Sequence, residues 1–170
     1  GSTWAQVGSG LTITEVGYHP ALAALSSTDV AFIDSSNDSL RVYRWNGSTW
    51  AQVGSGLTIS GAGPAALAAL NSTDVAFIDS SNDSLRVYRW NGSSWAQVGS
   101  GLSISGIGPA ALAALNSTDV AFIDSVNDSL RVYRWNGSSW AQVGSAGSIS
   151  LSGGIPALAA MNGTDVAFID

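Results

Sequence analysis

Residues 50–94 and 95–139 are the same sequence except at three positions, where Thr58 becomes Ser103, Ala62 becomes Ile107 and Ser81 becomes Val126. No other feature restricts the fold as strongly. A unit this short buries little on its own, so a chain that repeats it must stack the copies to make a core. Trp50, Trp95 and Trp140 mark a period of 45 residues, and Trp4 lies 46 residues before Trp50. "SLRVYRWNGSSWAQVG" occupies 84–99 and 129–144, with a one-residue variant at 39–54. "TDVAFID" begins at Thr28, Thr73 and Thr118, and again at Thr164. "SLRVYRW" occurs three times, whereas the other pieces occur four times. Natural repeats usually drift further apart, so the array is expected to be engineered or recently amplified from one motif.

Each unit contains four strand-like pieces. "PALAAL" at 20–25, with "AALAAL" at 65–70 and 110–115, is built of helix formers. Six residues make a marginal helix, however, and the neighbouring pieces are strands, so a strand is expected. In "DVAFID", alternation puts Val75, Phe77 and Asp79 on one side and Asp74, Ala76 and Ile78 on the other. In "SLRVYRW", Leu85, Val87 and Arg89 oppose Arg86, Tyr88 and Trp90. Both sides carry large groups, as expected of a sheet packed between two others. "WAQVG" is the fourth piece. The turn-rich "DSSND" and "WNGSSW" join the last three pieces as hairpins. The longer "GSGLTISGAGP" at 54–64 leads to the next unit, and its Leu57 and Ile59 fit either an irregular crossover or an extension of the last strand.

Four short antiparallel strands per 45 residues are the signature of all-β propeller blades. A solenoid of similar period would stack parallel strands instead of hairpins. The Ala-rich piece is expected nearest the central axis and the Trp-bearing pieces nearer the rim. "YRWNG" followed by "W..VG" resembles the Kelch repeat, although "FIDSS" stands where that repeat has its double glycine. The blade also resembles the short-repeat lectin propellers of the tachylectin-2 type. Those resemblances imply a propeller fold, and the second implies carbohydrate binding.

The units tile as complete blades at about 21–54, 65–99 and 110–144. Residues 157–170 and 3–8 together hold the first, second and fourth pieces of another blade, which lacks its third. A ring has to close, because open sheet edges pair with other chains. Closure within one chain gives four blades. Closure between two chains gives a homodimer with eight blades, two of them composite, and this assembly is the expected partner.

Composition excludes several functions. There are 6 basic residues, all Arg, against 12 acidic ones, a net charge of −6. That charge lacks the basic field required for nucleic-acid binding and is repelled by anionic membranes. No apolar run approaches the ~20 residues of a membrane helix. No targeting segment is read, the N-terminal Gly-Ser reads as a cloning remnant, and no localisation is assigned. There is no Cys and hence no thiol chemistry.

The catalytic inventory is thin. His19 is the only His and Glu15 the only Glu. No nucleophile elbow, phosphate-binding glycine motif or HExxH is present. No enzyme activity and no cofactor are expected. The turn clusters Asp34/Asn37/Asp38, Asp79/Asn82/Asp83 and Asp124/Asn127/Asp128 offer oxygen ligands for Ca²⁺, but they lack the EF-hand spacing and closing Glu. They read better as side chains capping their own turns, so no metal is expected. Trp45, Trp50, Trp90, Trp95, Trp135 and Trp140 flank the "NG" turns in pairs. They either pack on one another or form a carbohydrate platform repeated in every blade, with Asn91, Arg89 or Asp83 binding hydroxyls. The expected function is therefore a structural propeller scaffold. The alternative is a multivalent carbohydrate-binding module.

Overall fold

The computed structural model describes residues 3, 5–6, 8–11, 13, 21–34, 37–59, 65–79, 82–104, 110–152 and 156–169. Trp4, Glu15, His19 and residues 60–64 of the 54–64 connection lie outside them, as do the middles of the first two "DSSND" turns.

The first blade consists of β1 (Ala21–Ala24), β2 (Asp29–Asp34), β3 (Ser39–Trp45) and β4 (Trp50–Thr58). The second is β5 (Ala65–Ala69), β6 (Asp74–Asp79), β7 (Ser84–Trp90) and β8 (Trp95–Ser103). The third is β9 (Ala110–Ala114), β10 (Asp119–Asp124), β11 (Ser129–Trp135) and β12 (Trp140–Gln142), with β13 (Gly147–Ser148) also on β11. A terminal hairpin, β14 (Ala157–Ala160) and β15 (Val166–Ile169), makes a two-stranded sheet. Each full blade is an antiparallel meander with its strands in chain order, which is the β-propeller blade the repeat predicts.

The Ala-rich pieces are strands, as expected. Their small side chains let β1, β5, β9 and β14 meet one another from blade to blade, so they are the inner strands. The fourth piece runs further than "WAQVG": β4 and β8 continue to Thr58 and Ser103, and Leu57 pairs with Leu40 past a bulge between Leu40 and Val42. The extended-strand reading of this connection therefore holds. The third blade interrupts this strand. Gly56 lies against the Arg41 stem, where a Cβ would stand 3.2 Å from Cγ. Ala146 and Gly147 replace the equivalents of Gly56 and Leu57, crowding the stem and removing the apolar anchor. The ladder consequently breaks into β12 and β13.

Alternation creates two different faces on each sheet. Ala76, Ile78, Leu85 and Val87 of blade two pack toward Leu112, Val120, Phe122, Tyr133 and Trp135 of blade three. The opposite face of blade two carries Leu67, Val75, Phe77, Tyr88 and Trp90. It packs toward Ala23, Ala31, Ile33, Leu40 and Val42 of blade one. One seam is thus built twice: the bulky aromatic face of each blade sits on the smaller aliphatic face of the blade before it. Ile33, Phe77, Ile78 and Phe122 are completely buried by this packing. At ~25 cal/mol per Å², such burial is the main term holding the blades together.

Candidate functional site

The seam carries the repeated polar and aromatic groups, so it is where a repeated function must be sought. At its outer end, Trp90 pairs directly opposite Trp95, as Trp45 does with Trp50 and Trp135 with Trp140. Their ring centroids lie 5.3–5.5 Å apart at about 50°. All six tryptophans are therefore brought together in pairs, as the hairpin register requires. Trp90, Trp95, Trp135 and Trp140 are buried, whereas Trp45 and Trp50 are half-buried. The indole N–H groups of Trp90, Trp95 and Trp140 are buried without an acceptor among the described residues.

The turn between the paired tryptophans is a four-residue loop, not a two-residue one. The Asn91 side-chain carbonyl accepts hydrogen bonds from Ser93 N, Ser94 N and Ser93 Oγ at 2.9–3.0 Å. Gly92 takes φ +99°, a conformation that disfavours a side chain. Asn46 and Asn136 repeat the arrangement. The loop then reaches across the seam, where the Ser93 carbonyl accepts from Ser55 N of the preceding blade at 3.0 Å. Ser138 and Ser100 repeat this bond at 3.1 Å.

Arg89 is committed to its own blade. Its guanidinium donates two bonds of 2.7 Å to Asp74, directly opposite on β6. Arg44–Asp29 and Arg134–Asp119 are equivalent. The Arg hydrogen bonds hold all three carboxyls below the usual carboxylate range, that of Asp119 at about 2. Thr73 Oγ1 donates a further bond to Asp74, whose own backbone N–H donates to the Asn71 side-chain carbonyl, and a side-chain hydrogen bond from Asn71 lowers the carboxyl further. This cross-strand pairing of "D" and "R" was readable from the hairpin register, since the two positions are equidistant from the loop at 80–83.

Asp34, Asp79 and Asp124 are buried within their own turns. Each accepts from the side-chain nitrogen of the Asn three residues on, and Arg131 reaches Asp124 at 3.1 Å. Asp38, Asp83 and Asp128 adopt the left-handed region at φ 44–46°. Their carbonyls accept from the N–H groups of Ile59, Ile104 and Ile149. The clusters singled out as possible calcium ligands thus form turn-capping networks. Among the described residues no group of three or more His, Cys, Asp or Glu could hold a metal ion.

No family description matches the sequence, and no curated protein matches it. Solved structures do. A fungal lectin of Aleuria aurantia, described as a six-bladed β-propeller with a novel fucose recognition mode, superposes with a TM-score of 0.55 at 19% identity. The alignment covers 85% of this chain and 53% of that one. A mutant of the lectin bound to α-methyl-L-fucoside gives a TM-score of 0.51 at 20% identity, covering 82% and 49%. Another complex, with Fucα1-6GlcNAc, gives 0.51 at 18%, covering 82% and 50%. The chain spans about half the length of these lectins. The likeness defines its fold as a β-propeller and places lectins among its structural neighbours.

Proposed function

We propose that the chain is a structural β-propeller scaffold, engineered or recently amplified. Its ring closes by sharing strands between chain ends or between chains, and the residues at 157–170 and 3–8 serve as parts of a composite blade. The supporting observation is that the conspicuous side chains of the repeat are engaged in holding blades. The tryptophans pair with each other, Arg89 pairs with Asp74, and Asn91 closes its own turn. A homodimer completing an eight-bladed ring is the assembly this reading expects. Native mass spectrometry over a dilution series tests it: a stable dimer is expected, and monomer alone at every concentration contradicts it.

A second reading, as a multivalent carbohydrate-binding module, is favoured by the likeness to fucose-binding lectins. Trp45, Trp50, Trp90, Trp95, Trp135 and Trp140 are the proposed stacking surfaces. Trp50 is half-buried and lines an open apolar depression with Leu22, Val30, Phe32 and Tyr43. Several weak sites on one rigid ring would gain avidity. Titrating fucosides and a wider glycan panel against tryptophan fluorescence tests this reading. Saturable change supports it, and no change across the panel removes it.

A further inference from the structure

The seam that joins blades one and two, and blades two and three, has its two halves free at the two ends of the chain. At the first end lies the bulky face of blade one. Leu22 is 63% exposed there, whereas its equivalents Leu67 and Leu112 are 7% and 8% exposed. Val30 is half-buried, whereas Val75 and Val120 are fully covered. Together with Phe32, Tyr43 and Trp50 these residues line the depression described above.

At the other end lies the smaller aliphatic face of the terminal hairpin. Ala157, Ala159, Ala167 and Ile169 occupy the register positions of Ala21, Ala23, Ala31 and Ile33 in the first blade. In blade one those positions receive Leu67, Val75 and Phe77 of blade two. On the hairpin they line a shallow open surface, and Ile169 is 72% exposed.

The outer part of the first end is already occupied. Gly8, at φ +66°, lies against Trp45 and the Ser48 carbonyl, as Gly54 does against Trp90 and Ser93. Gly8 therefore lies where the outer strand of a preceding blade would run, and Leu11 and Ile13 border the depression. Among the described residues, what this end lacks is the inner pair of strands. The terminal hairpin is an inner pair of strands without an outer one. Its β14 meets β9 as β5 meets β1, so it continues the arc away from blade three and does not return to blade one. Leu22 and Ile169 are both exposed, so among the described residues these two faces of one chain do not cover each other.

We infer that the bulky face of blade one (Leu22, Val30, Phe32) docks on the aliphatic face of the terminal hairpin (Ala159, Ala167, Ile169) of a second copy of this chain. This contact is head-to-tail, so two copies close a ring with two such seams. The inference rests on the scaffold reading and names the surface through which that scaffold assembles.

Complementation between two interface-breaking variants tests it, using Leu22→Arg and Ile169→Arg in the full chain. Both positions are exposed, so each variant should keep the wild-type near-ultraviolet circular dichroism. Sedimentation velocity should show a wild-type dimer and two monomeric variants, each weakened by at least tenfold in self-association. An equimolar mixture should recover a one-to-one heterodimer, because one intact head meets one intact tail. A wild-type dimer that survives both substitutions overturns the inference and leaves the scaffold reading standing. Two monomeric variants that fail to complement also overturn it, since an interface of identical patches gives that result. A wild type that stays monomeric overturns both.

Discussion

Gly54 lies under the indole of Trp90 in the following blade, where a Cβ would stand 2.6 Å from Cη2 and collide with the Ser93 carbonyl. Its φ of +65° is also in the left-handed region. Gly99 meets Trp135 and Ser138 in the same way. Gly144 has the same conformation at φ +69°, yet nothing lies within 4 Å of it, because among the described residues the hairpin that follows has no Trp-bearing strand.

That contrast separates backbone strain from seam packing. Gly144→Ala should cost only the ~1–2 kcal/mol of a left-handed residue. Gly54→Ala should add the ~1–3 kcal/mol of overpacking, because the obstacle is backbone and a buried ring. Urea denaturation of the two variants checks the order. Equal costs would mean that the Gly54–Trp90 contact does not hold the seam.

A second prediction grades one substitution by position. Phe77 is completely buried between blades one and two, and Phe168 is 39% exposed on the hairpin. Phe77→Ala should cost about 3–5 kcal/mol, the range for emptying a core site. In the monomer, Phe168→Ala should cost well under half as much. Denaturation midpoints measured at low concentration decide this.

The acid limb of stability follows from the cross-strand pairs. Asp29, Asp74 and Asp119 have carboxyls lowered by Arg44, Arg89 and Arg134. A lowered folded-state value means that the stabilisation is complete above the unfolded value near 4. It is lost as pH falls through the folded value, about 2 for Asp119. The Arg partners are more than half exposed, so each pair contributes modestly. Stability should therefore fall between about pH 4 and 2, and Asp74→Asn combined with Asp119→Asn should flatten the slope. An unchanged slope would remove these pairs from the account.

The Asn91 turn gives a fourth prediction. Its carbonyl holds two backbone N–H groups and one hydroxyl. Asn91→Ala should cost about 1–2 kcal/mol, since each such bond contributes roughly 0.5–1.5 kcal/mol and the loop is exposed. Asn91→Asp, which keeps the acceptor, should recover most of that loss at neutral pH. Parallel melts of the two variants read the difference.

The blade was largely legible before the fold was known. Alternation alone divides Val75 and Phe77 from Ala76 and Ile78, and these sets do enter different cores. The hairpin turns fix the strand order. What could not be read is how blades meet. Gly54 and Trp90 are 36 residues apart, and in a near-perfect repeat every register between blades has the same composition. The tryptophans illustrate the same limit. Their pairing across the turn follows from hairpin register, but the burial of Trp90 and Trp95 comes from the neighbouring blade. The four-residue turn was also hidden, because "NG" suits a two-residue hairpin equally well and the Ser side of the loop decides which forms.

Hydrogen exchange measured by mass spectrometry at two protein concentrations tests the central claim most directly. The claim is that one seam joins the blades within the chain and is left half-formed at each end. At low concentration β6 and β10 should exchange slowest, and β14–β15 fast. Raising the concentration should slow exchange in β1–β2 and β14–β15 together while leaving β6 and β10 unchanged. Concentration-independent exchange at both ends would contradict the account.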